Sequence, residues 1–246
     1  ERLDLVADLF SGHRRRRRLI DYALEYRAAT AIVDNETDPQ VAALRVGRVT
    51  LLAGDVSNLH ARELAACLSE TIVTPEHQGW YDLIWAVHTG RARSYERIEF
   101  SSGMLDPHRL KAMAVGDNGN SRVDRLDQRL CERLARDVGT GFFGKFRSIN
   151  HFLEIGFGFC VIVDDRVVSG ASTAVVCRRG ISVQIETHND HRRLGLATRV
   201  GASLILECLR RDIDPHWSAA TPISASLAAK LGFSEQDTFE ELVIPS

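Results

Sequence analysis

The sequence lacks any apolar run long enough to cross a bilayer. A membrane-spanning helix needs about 20 consecutive, mostly apolar residues, and no such run occurs in these 246 residues. The formal net charge is only −2, which excludes a strong overall attraction to nucleic acid or to an acidic membrane surface. The first residues, Glu1 to Asp4, lack the pattern of a signal peptide and the initiator methionine. We therefore expect a trimmed, cytoplasmic chain with neither a nucleic-acid partner nor a membrane partner.

Cysteines at metal-ligand or redox spacing are also lacking. The five cysteines are odd in number and widely spaced, and no C-x-x-C pair occurs. This pattern predicts small buried thiols in a reducing compartment and no metal site. Charge of one sign is concentrated only in the run Arg14 to Arg18. Because no aromatic residues alternate with these arginines, we predict a solvated helix face or a domain contact rather than a nucleic-acid site.

The composition is that of an ordinary globular protein, with 44% apolar and 26% charged residues. In the first half, hydrophobic periodicity and turn residues predict helices and short strands. The predicted helices are 1–30 with a basic break, 58–68, 80–88, 108–115 and 123–135. The predicted strands are 41–44, 49–52 and 95–100, and the predicted loops are 34–39, 101–107 and 116–120.

The second half predicts a β-β-β-α-β-α-β order, which is typical of an α/β protein with a mixed sheet. Asp164-Asp165 is a hairpin dipeptide between the first two strands. Gly232 is a helix stop after the second helix. The strands are 157–163, 166–174, 181–187, one around Trp217 and 239–244, and the helices are 196–211 and 224–231. We predict two domains, 1–120 and 121–246.

The most informative stretch joins an apolar strand, 181–185, to an apolar helix that continues over 200–209. Between them, Arg192-Arg193-Leu194-Gly195-Leu196-Ala197 forms a turn of basic and small residues. Backbone N–H groups in the first turn of a helix have no helical partner and carry partial positive charge. The turn is therefore a candidate pyrophosphate site, with a plain tight turn as the alternative.

Three motifs, in order, resemble the GNAT superfamily of N-acyltransferases. Arg192-x-x-Gly195-x-Ala197 is similar to its acetyl-CoA loop, the strand Val183 to Thr187 precedes it, and Ser224 to Phe233 resembles its late helix ending in Leu-Gly-Phe. A narrower similarity, to the zwittermicin-A-resistance type of bacterial GNAT acetyltransferase, rests on shorter segments in both halves. These segments are Pro39 to Ala42, Leu52 to Asp55, Gly156 to Cys160, Val167 to Ser169, Glu186-Thr187 and Pro215 to Trp217.

The resemblance implies an α/β GNAT fold in the C-terminal half, an α+β N-terminal region packed on it that sets acceptor specificity, and acetyl-CoA as co-substrate. In the superfamily the strand before the loop splays from its neighbour, so its main chain is expected to bind the pantetheine arm. For Thr198 and Ser224, helix capping is the alternative. The predicted cofactor-binding residues are Ile185, Thr187, Arg192, Arg193, Leu194, Gly195, Leu196, Ala197, Thr198, Thr221 and Ser224.

Acetyl transfer requires a neutral amine, so a base must remove the ammonium proton. Glu186 is the first candidate because it alternates with Ile185 and Thr187 and points to the opposite face of the strand. His188 is the second candidate. A solvated glutamate and an exposed loop histidine are the respective alternatives. His216 is expected to line the acceptor side, with plain packing of the Pro-His-Trp segment as the alternative.

Two positions depart from the superfamily pattern. Thr221 stands where many relatives have Asn, and Ala228 where many have a Tyr that protonates the leaving thiolate, so the proton donor stays unassigned. The sequence predicts an N-acetyltransferase that transfers acetyl from acetyl-CoA to a small-molecule amine in a ternary complex, without a covalent enzyme intermediate. A protein or peptide N-acyltransferase and a non-catalytic acyl-CoA sensor are the alternatives, and a homodimer is left open.

Overall fold

The computed structural model describes residues 2–115 and 121–246. The chain divides into two compact units. The first unit comprises Glu1–Arg97 and Thr238–Ser246, and the second unit comprises Ile98–Asp237. The predicted loop 116–120 lies outside the described residues. The long segment of the first unit ends at residue 97. The acceptor role of residues 1–120 and the acetyl-CoA role of residues 121–246 stay predictions.

Helices and strands follow one another throughout both units. The helices are α1 Arg2–Val6, α2 Arg17–Glu25, α3 Ala61–Ala66, α4 Gln78–Val87, α5 Pro107–Val115, α6 Gln128–Asp137, α7 Ile149–Ile155, α8 Leu196–Arg210 and α9 Pro222–Leu231. The strands are β1 Thr30–Val33, β2 Val41–Val46, β3 Val49–Gly54, β4 Thr71–Pro75, β5 Arg93–Ser101, β6 Ser121–Arg125, β7 Gly158–Val163, β8 Arg166–Cys177, β9 Gly180–Thr187, β10 Pro215–Ala219 and β11 Ser234–Ile244. Short 3₁₀ turns occur at Thr140–Phe142 and Asn189–His191.

In the first unit the strand order is β1-β2-β3-β4-β11. β3 and β4 are parallel, and the other neighbours are antiparallel. One core cluster joins the sheet to α3 and α4 through Leu52, Val73, Leu64, Trp80 and Ile84. The last strand contributes Leu242 and Ile244 to this cluster, so the C-terminal residues complete the core of the first unit.

A buried carboxylate lies within the first unit. The Glu241 side chain is fully buried and accepts two hydrogen bonds from Arg16, at 2.6 and 2.8 Å. It also accepts one from the Tyr95 hydroxyl at 2.6 Å and one from the Thr74 hydroxyl at 2.7 Å. Arg97 Nη1 lies 3.6 Å from Oε2. Arg16 therefore lies in an internal network of the first unit and not on the solvated helix face predicted for the arginine run.

In the second unit the strand order is β5-β10-β9-β8-β7-β6. β9 and β10 are parallel and the other neighbours are antiparallel, so the sheet is mixed as predicted. Asp164 and Asp165 have φ values of 45° and 58°, which are those of the two central residues of a type I′ hairpin turn. The β-β-β-α-β-α-β order of the second half is confirmed.

Opposite faces of this second-unit sheet pack on different helices. α8 covers one face, where Val200 and Leu204 pack against Val161 and Ala171. On the other face, a Cβ placed on Gly170 would meet Leu134 of α6 at 2.6 Å. The side-chain alternation of each central strand therefore separates an apolar α8 face from the face of α6 and the Thr140–Phe142 turn.

Several predicted elements are wrong in type or were missed. Residues 123–125 belong to β6 and not to the predicted helix, because Val123 pairs with Val161 of β7. The strands β1 and β4 and the helix α7 were not predicted. Cys67 is exposed, in contrast to the expected buried thiol, whereas the other four cysteines are buried. Within residues 2–115 and 121–246, no helix is both long and apolar enough to span a membrane.

Candidate active site

The turn before α8 presents a series of backbone N–H groups. Arg193 and Gly195 both have left-handed backbone conformations, with φ values of 63° and 78°. The first backbone hydrogen bond of the helix runs from Arg199 N–H to the Gly195 carbonyl. Within the described chain, the N–H groups from Arg193 to Thr198 donate no hydrogen bond to protein. The helix dipole and these N–H groups together create an anion-binding position.

The space next to this turn is open. A Cβ placed on Gly195 would meet nothing within 4 Å, and Arg192, Arg193 and Leu194 are exposed. Neither of the two arginines forms an ion pair with another described residue. Thr198 is buried in the first helical turn, whereas Gly195 occupies the N-cap position without a side-chain cap. The alternative, in which Thr198 is the helix cap, is therefore wrong.

The ladder between β9 and β10 opens towards this turn. Their parallel pairing comprises Ile181 with Pro215 and Ser182 with His216, whereas β9 continues to Thr187. His188 N–H bonds to the Val168 carbonyl of β8. In an antiparallel pair only every second residue of a strand bonds to the neighbouring strand. Because His188 bonds to β8, the N–H and C=O groups of Thr187 and Ile185 are directed away from β8 and into the opening. The predicted separation of these strands is thus present in the structure.

Glu186 lies on the face of the sheet opposite α8. Ile185 faces α8, since a Cβ on Gly201 would lie 2.8 Å from its Cδ1. The Glu186 carboxylate is half-buried against Gly139, where an added Cβ would come within 2.9 Å of Oε2. Gln184 points the same way, towards Gly141. The predicted direction of Glu186 is confirmed, whereas its role as a base stays a prediction.

The end of β9 is held by side chains. Ser169 is buried, and its hydroxyl is 2.7 Å from the Thr187 hydroxyl and donates to the Glu186 carbonyl at 3.2 Å. Arg192 Nε donates to the Thr187 carbonyl at 3.3 Å. His188 Nδ1 accepts the Asp190 N–H at 3.4 Å, so this imidazole caps the following 3₁₀ turn. In the described part of the chain, no three His, Cys, Asp or Glu side chains form a metal-binding group.

The predicted cofactor residues at α9 have hydrogen-bond partners inside the protein. Thr221 is the N-cap of α9, and its hydroxyl accepts the Ser224 N–H at 3.2 Å. The Ser224 hydroxyl accepts the Trp217 indole N–H at 3.1 Å and is not the helix cap. Ala228 is fully buried. Both hydroxyls keep a proton to donate, so their predicted role toward a cofactor is compatible with these contacts.

Two residues on the Glu186 face were not predicted from the sequence. Gly139 provides the space for the Glu186 carboxylate, and Glu99 of β5 lies beside His216 of β10, with 3.7 Å between Oε1 and Nε2. The β5–β10 register pairs Ser218 with Glu99. No local sequence pattern signals either contact, because their partners are 47 and 117 positions away in the chain.

Comparisons with known proteins give consistent results. A family model described as GNAT acetyltransferase matches residues 7–242. The structure is similar to that of a GCN5-related N-acetyltransferase-like protein from Streptococcus suis 89/1591, with a TM-score of 0.86, 29% identity and coverage of 99% of this chain and 98% of that chain. A GCN5-related N-acetyltransferase from Kribbella flavida has a TM-score of 0.62, 12% identity and coverage of 98% and 95%, a likeness of fold alone.

One curated relative matches part of the chain. The Uncharacterized N-acetyltransferase YdfB of Bacillus subtilis (strain 168) is 34% identical over 113 residues. This match covers 45% of the chain and 43% of the relative, so the chain spans less than half the length of that protein.

Proposed function

Because the chain belongs to the GNAT acetyltransferase family, we propose that it transfers an acetyl group from acetyl-CoA to the amine of a small molecule in a ternary complex. One observation carries this proposal: the series of N–H groups from Arg193 to Thr198 begins where the β9–β10 ladder has opened. An anion site and an adjacent cleft between strands are the two features needed to hold a diphosphate with a long attached arm.

The residues of the turn would hold the diphosphate. The N–H groups of Leu194 to Thr198 are placed to donate to phosphate oxygens, and the guanidinium groups of Arg192 and Arg193 add positive charge. The Thr198 hydroxyl is a further donor. The main chains of Ile185 and Thr187 provide bonding groups inside the opening. Thr221 and Ser224 donate their hydroxyl protons from the start of α9. When bound, acetyl-CoA supplies the activated acetyl thioester.

The chain's own groups would then act on the thioester carbonyl and on the acceptor amine. The Ile185 N–H donates into the opening, where it stabilises negative charge that develops on a carbonyl oxygen. Glu186 is a candidate to accept the ammonium proton, directly or through water, and His188 is the second candidate. Positioning of the amine next to the thioester lowers the entropic part of the barrier.

We further propose a subfamily for the chain and a role for each of its two halves. We assign the chain to the zwittermicin-A-resistance type, whose motifs include Glu186-Thr187 and Pro215 to Trp217, and place it in the cytoplasm. Residues 121–246 bind acetyl-CoA, and residues 1–120 contribute to acceptor choice. An amino-bearing antibiotic or metabolite is the acceptor class.

A second function, a non-catalytic acyl-CoA sensor, is favoured by one observation. The four tyrosines, at positions 22, 26, 81 and 95, all belong to the first unit. The second unit therefore has no phenol to protonate a leaving thiolate. A sensor would bind acetyl-CoA without releasing CoA in the presence of any amine.

Release of free CoA thiol, measured against a panel of amines, tests the proposal. The panel contains small amino compounds, peptides with free N-termini and peptides with an internal lysine. Turnover with small amines is the expected result. Turnover with peptides alone would replace the small-molecule acceptor, and tight acetyl-CoA binding without any turnover would favour the sensor.

Substitution of Gly195 tests the position of the diphosphate. We expect Gly195→Trp to lower acetyl-CoA affinity at least about 100-fold, because a large side chain would fill the open space before the N–H groups. Gly90→Trp is the matched control, since Gly90 also has positive φ, at 74°, and open space at its Cβ, but belongs to the first unit. Calorimetry that gives equal affinities for the two variants would contradict the placement.

A further inference from the structure

His216 lies at the vertex of the opening between β9 and β10. Its pairing with Ser182 is the last in the ladder, and beyond it the two strands separate. Trp217, the next residue, packs in the core with Ala202 of α8. Because side chains alternate along a strand, His216 faces the opposite side, which is the face of Glu186. The imidazole is therefore placed at the inner end of the cleft, on the acceptor side.

Glu99 holds a carboxylate next to this imidazole. The distance from His216 Nε2 to Glu99 Oε1 is 3.7 Å, and about a fifth of each side chain is exposed. The pair is thus largely withdrawn from water. A carboxylate beside Nε2 favours the tautomer with its proton on Nε2, which leaves the lone pair on Nδ1. This is the arrangement that a histidine base requires.

We propose that His216 is the base for the acceptor amine and that Glu99 is its positioning residue. The inference rests on the proposed function, since it assigns the proton transfer of that reaction. Glu186, on the same face, then serves to attract the cationic ammonium. The substrate class that suits this face is an alkylammonium compound, whose positive charge is matched by carboxylates.

The proton balance also removes the need for a tyrosine. His216 accepts one proton from the ammonium, which frees the nitrogen lone pair. The N–C bond forms and the C–S bond breaks, and the second amine proton passes to solvent. The imidazolium returns its proton to the leaving sulfur. The net products are the acetamide, the CoA thiol and one proton, and His216 is again neutral.

Kinetics of single variants test the assignment. With an amine that the wild-type chain acetylates, His216→Gln is expected to lower kcat about 10³-fold and Glu99→Ala about 10²-fold, the range for a positioned acid or base. The acetyl-CoA dissociation constant is expected to stay within about twofold. His151→Gln, a half-buried histidine on α7, is the control and should leave kcat unchanged. Imidazole added to His216→Ala should restore part of the turnover.

Two outcomes would overturn the assignment. If His216→Gln and Glu99→Ala retain kcat within about threefold of wild type while Glu186→Gln loses about 10³-fold, Glu186 is the base and the assignment is overturned. Absence of imidazole rescue together with loss of acetyl-CoA affinity would show a structural role only and would also overturn it.

Nitrogen-15 spectra of the ligand-free protein give an independent readout. We expect His216 to show a protonated Nε2 and an unprotonated Nδ1 at neutral pH, and Glu99→Ala to reduce this preference. A His216 signal that is unchanged by Glu99→Ala would overturn the pairing, even if His216→Gln fails to fold. If the wild-type chain neither binds acetyl-CoA nor releases CoA, the proposed function fails, whereas these spectra still test the pair.

Discussion

At Gly139 a missing Cβ leaves room for the Glu186 carboxylate. The backbone there is extended, with φ at 165°, so any residue could adopt it. What the position requires is space, because an added Cβ would come within 2.9 Å of Oε2. The neighbour is the end of a flexible side chain, which can move, so the fold tolerates alanine while the carboxylate is displaced.

Gly139→Ala is therefore expected to reduce kcat/KM about 10- to 100-fold, the cost of a misplaced catalytic or substrate-binding group. Acetyl-CoA affinity and the melting temperature should change little. Gly141→Ala is the control, since its Cβ would meet Gln184 Nε2 at an ordinary 3.7 Å. Steady-state kinetics in which Gly139→Ala equals Gly141→Ala would remove Glu186 from the reaction.

Local sequence predicted some residues of this site and not others. Strand alternation was enough to direct Glu186 away from α8, because Ile185 and Thr187 are its immediate neighbours. Gly195 was predictable from the turn that it forms. Glu99 and Gly139 were not, since each contacts a residue on a distant segment and neither lies in a motif.

At the scale of the element, the start of α9 connects a helix cap to a core aromatic residue. Thr221 caps the Ser224 N–H, and the Ser224 hydroxyl accepts from the Trp217 indole. Trp217 packs against Phe233, which follows the helix, with 5.5 Å between ring centroids. These contacts fix α9 to β10, the strand that borders the opening.

Loss of this cap should be measurable. Thr221→Ala is expected to cost about 1 kcal/mol of unfolding free energy, whereas Thr221→Asn should cost little, because Asn is also a good N-cap. If the Thr221 side chain also binds the cofactor, acetyl-CoA affinity falls in the Ala variant and is retained in the Asn variant. Urea unfolding that gives the same stability for Thr221→Ala and wild type would contradict the cap.

Elements with strong local signals were predicted and those that depend on distant partners were not. The Asp164-Asp165 hairpin and the Gly232 helix end are specified by residues within the turn itself. Residues 123–125 of β6 are predicted as helix, because Leu126, Leu130 and Leu134 have helical spacing and the pairing of Val123 with Val161 is not visible in the sequence. β4 is short and its partners are β3 and β11.

For the molecule as a whole, the longest-range contacts were the least predictable. Arg16 and Glu241 are 225 positions apart, and their ion pair lies inside the first unit. Burial alone would raise the pKa of Glu241, but Arg16, Arg97 and the Tyr95 hydroxyl hold it down at about 2. A charged group of this kind ties stability to pH.

Acid should therefore lower the stability of the first unit, in a pH range set by the pKa of Glu241. The pKa of its carboxyl is about 2 in the folded chain and about 4.5 in the unfolded chain. This difference in pKa stabilises the folded chain by about 3 kcal/mol. Because the folded value is the lower one, this stabilisation is complete above about pH 4.5 and is lost as the pH falls to about 2.

Glu241→Gln should remove this pH dependence and lower stability at neutral pH, because Arg16 and Arg97 lose their shared anion. A loss of about 3 to 5 kcal/mol is typical when one partner of a buried pair is removed, or about 10 °C in melting temperature for a chain of this size. Glu240→Gln, on the exposed side of the same strand, makes the same change in charge and should behave like wild type. Thermal melts followed by circular dichroism from pH 7 to pH 2.5 would contradict the assignment if the two variants fell in parallel.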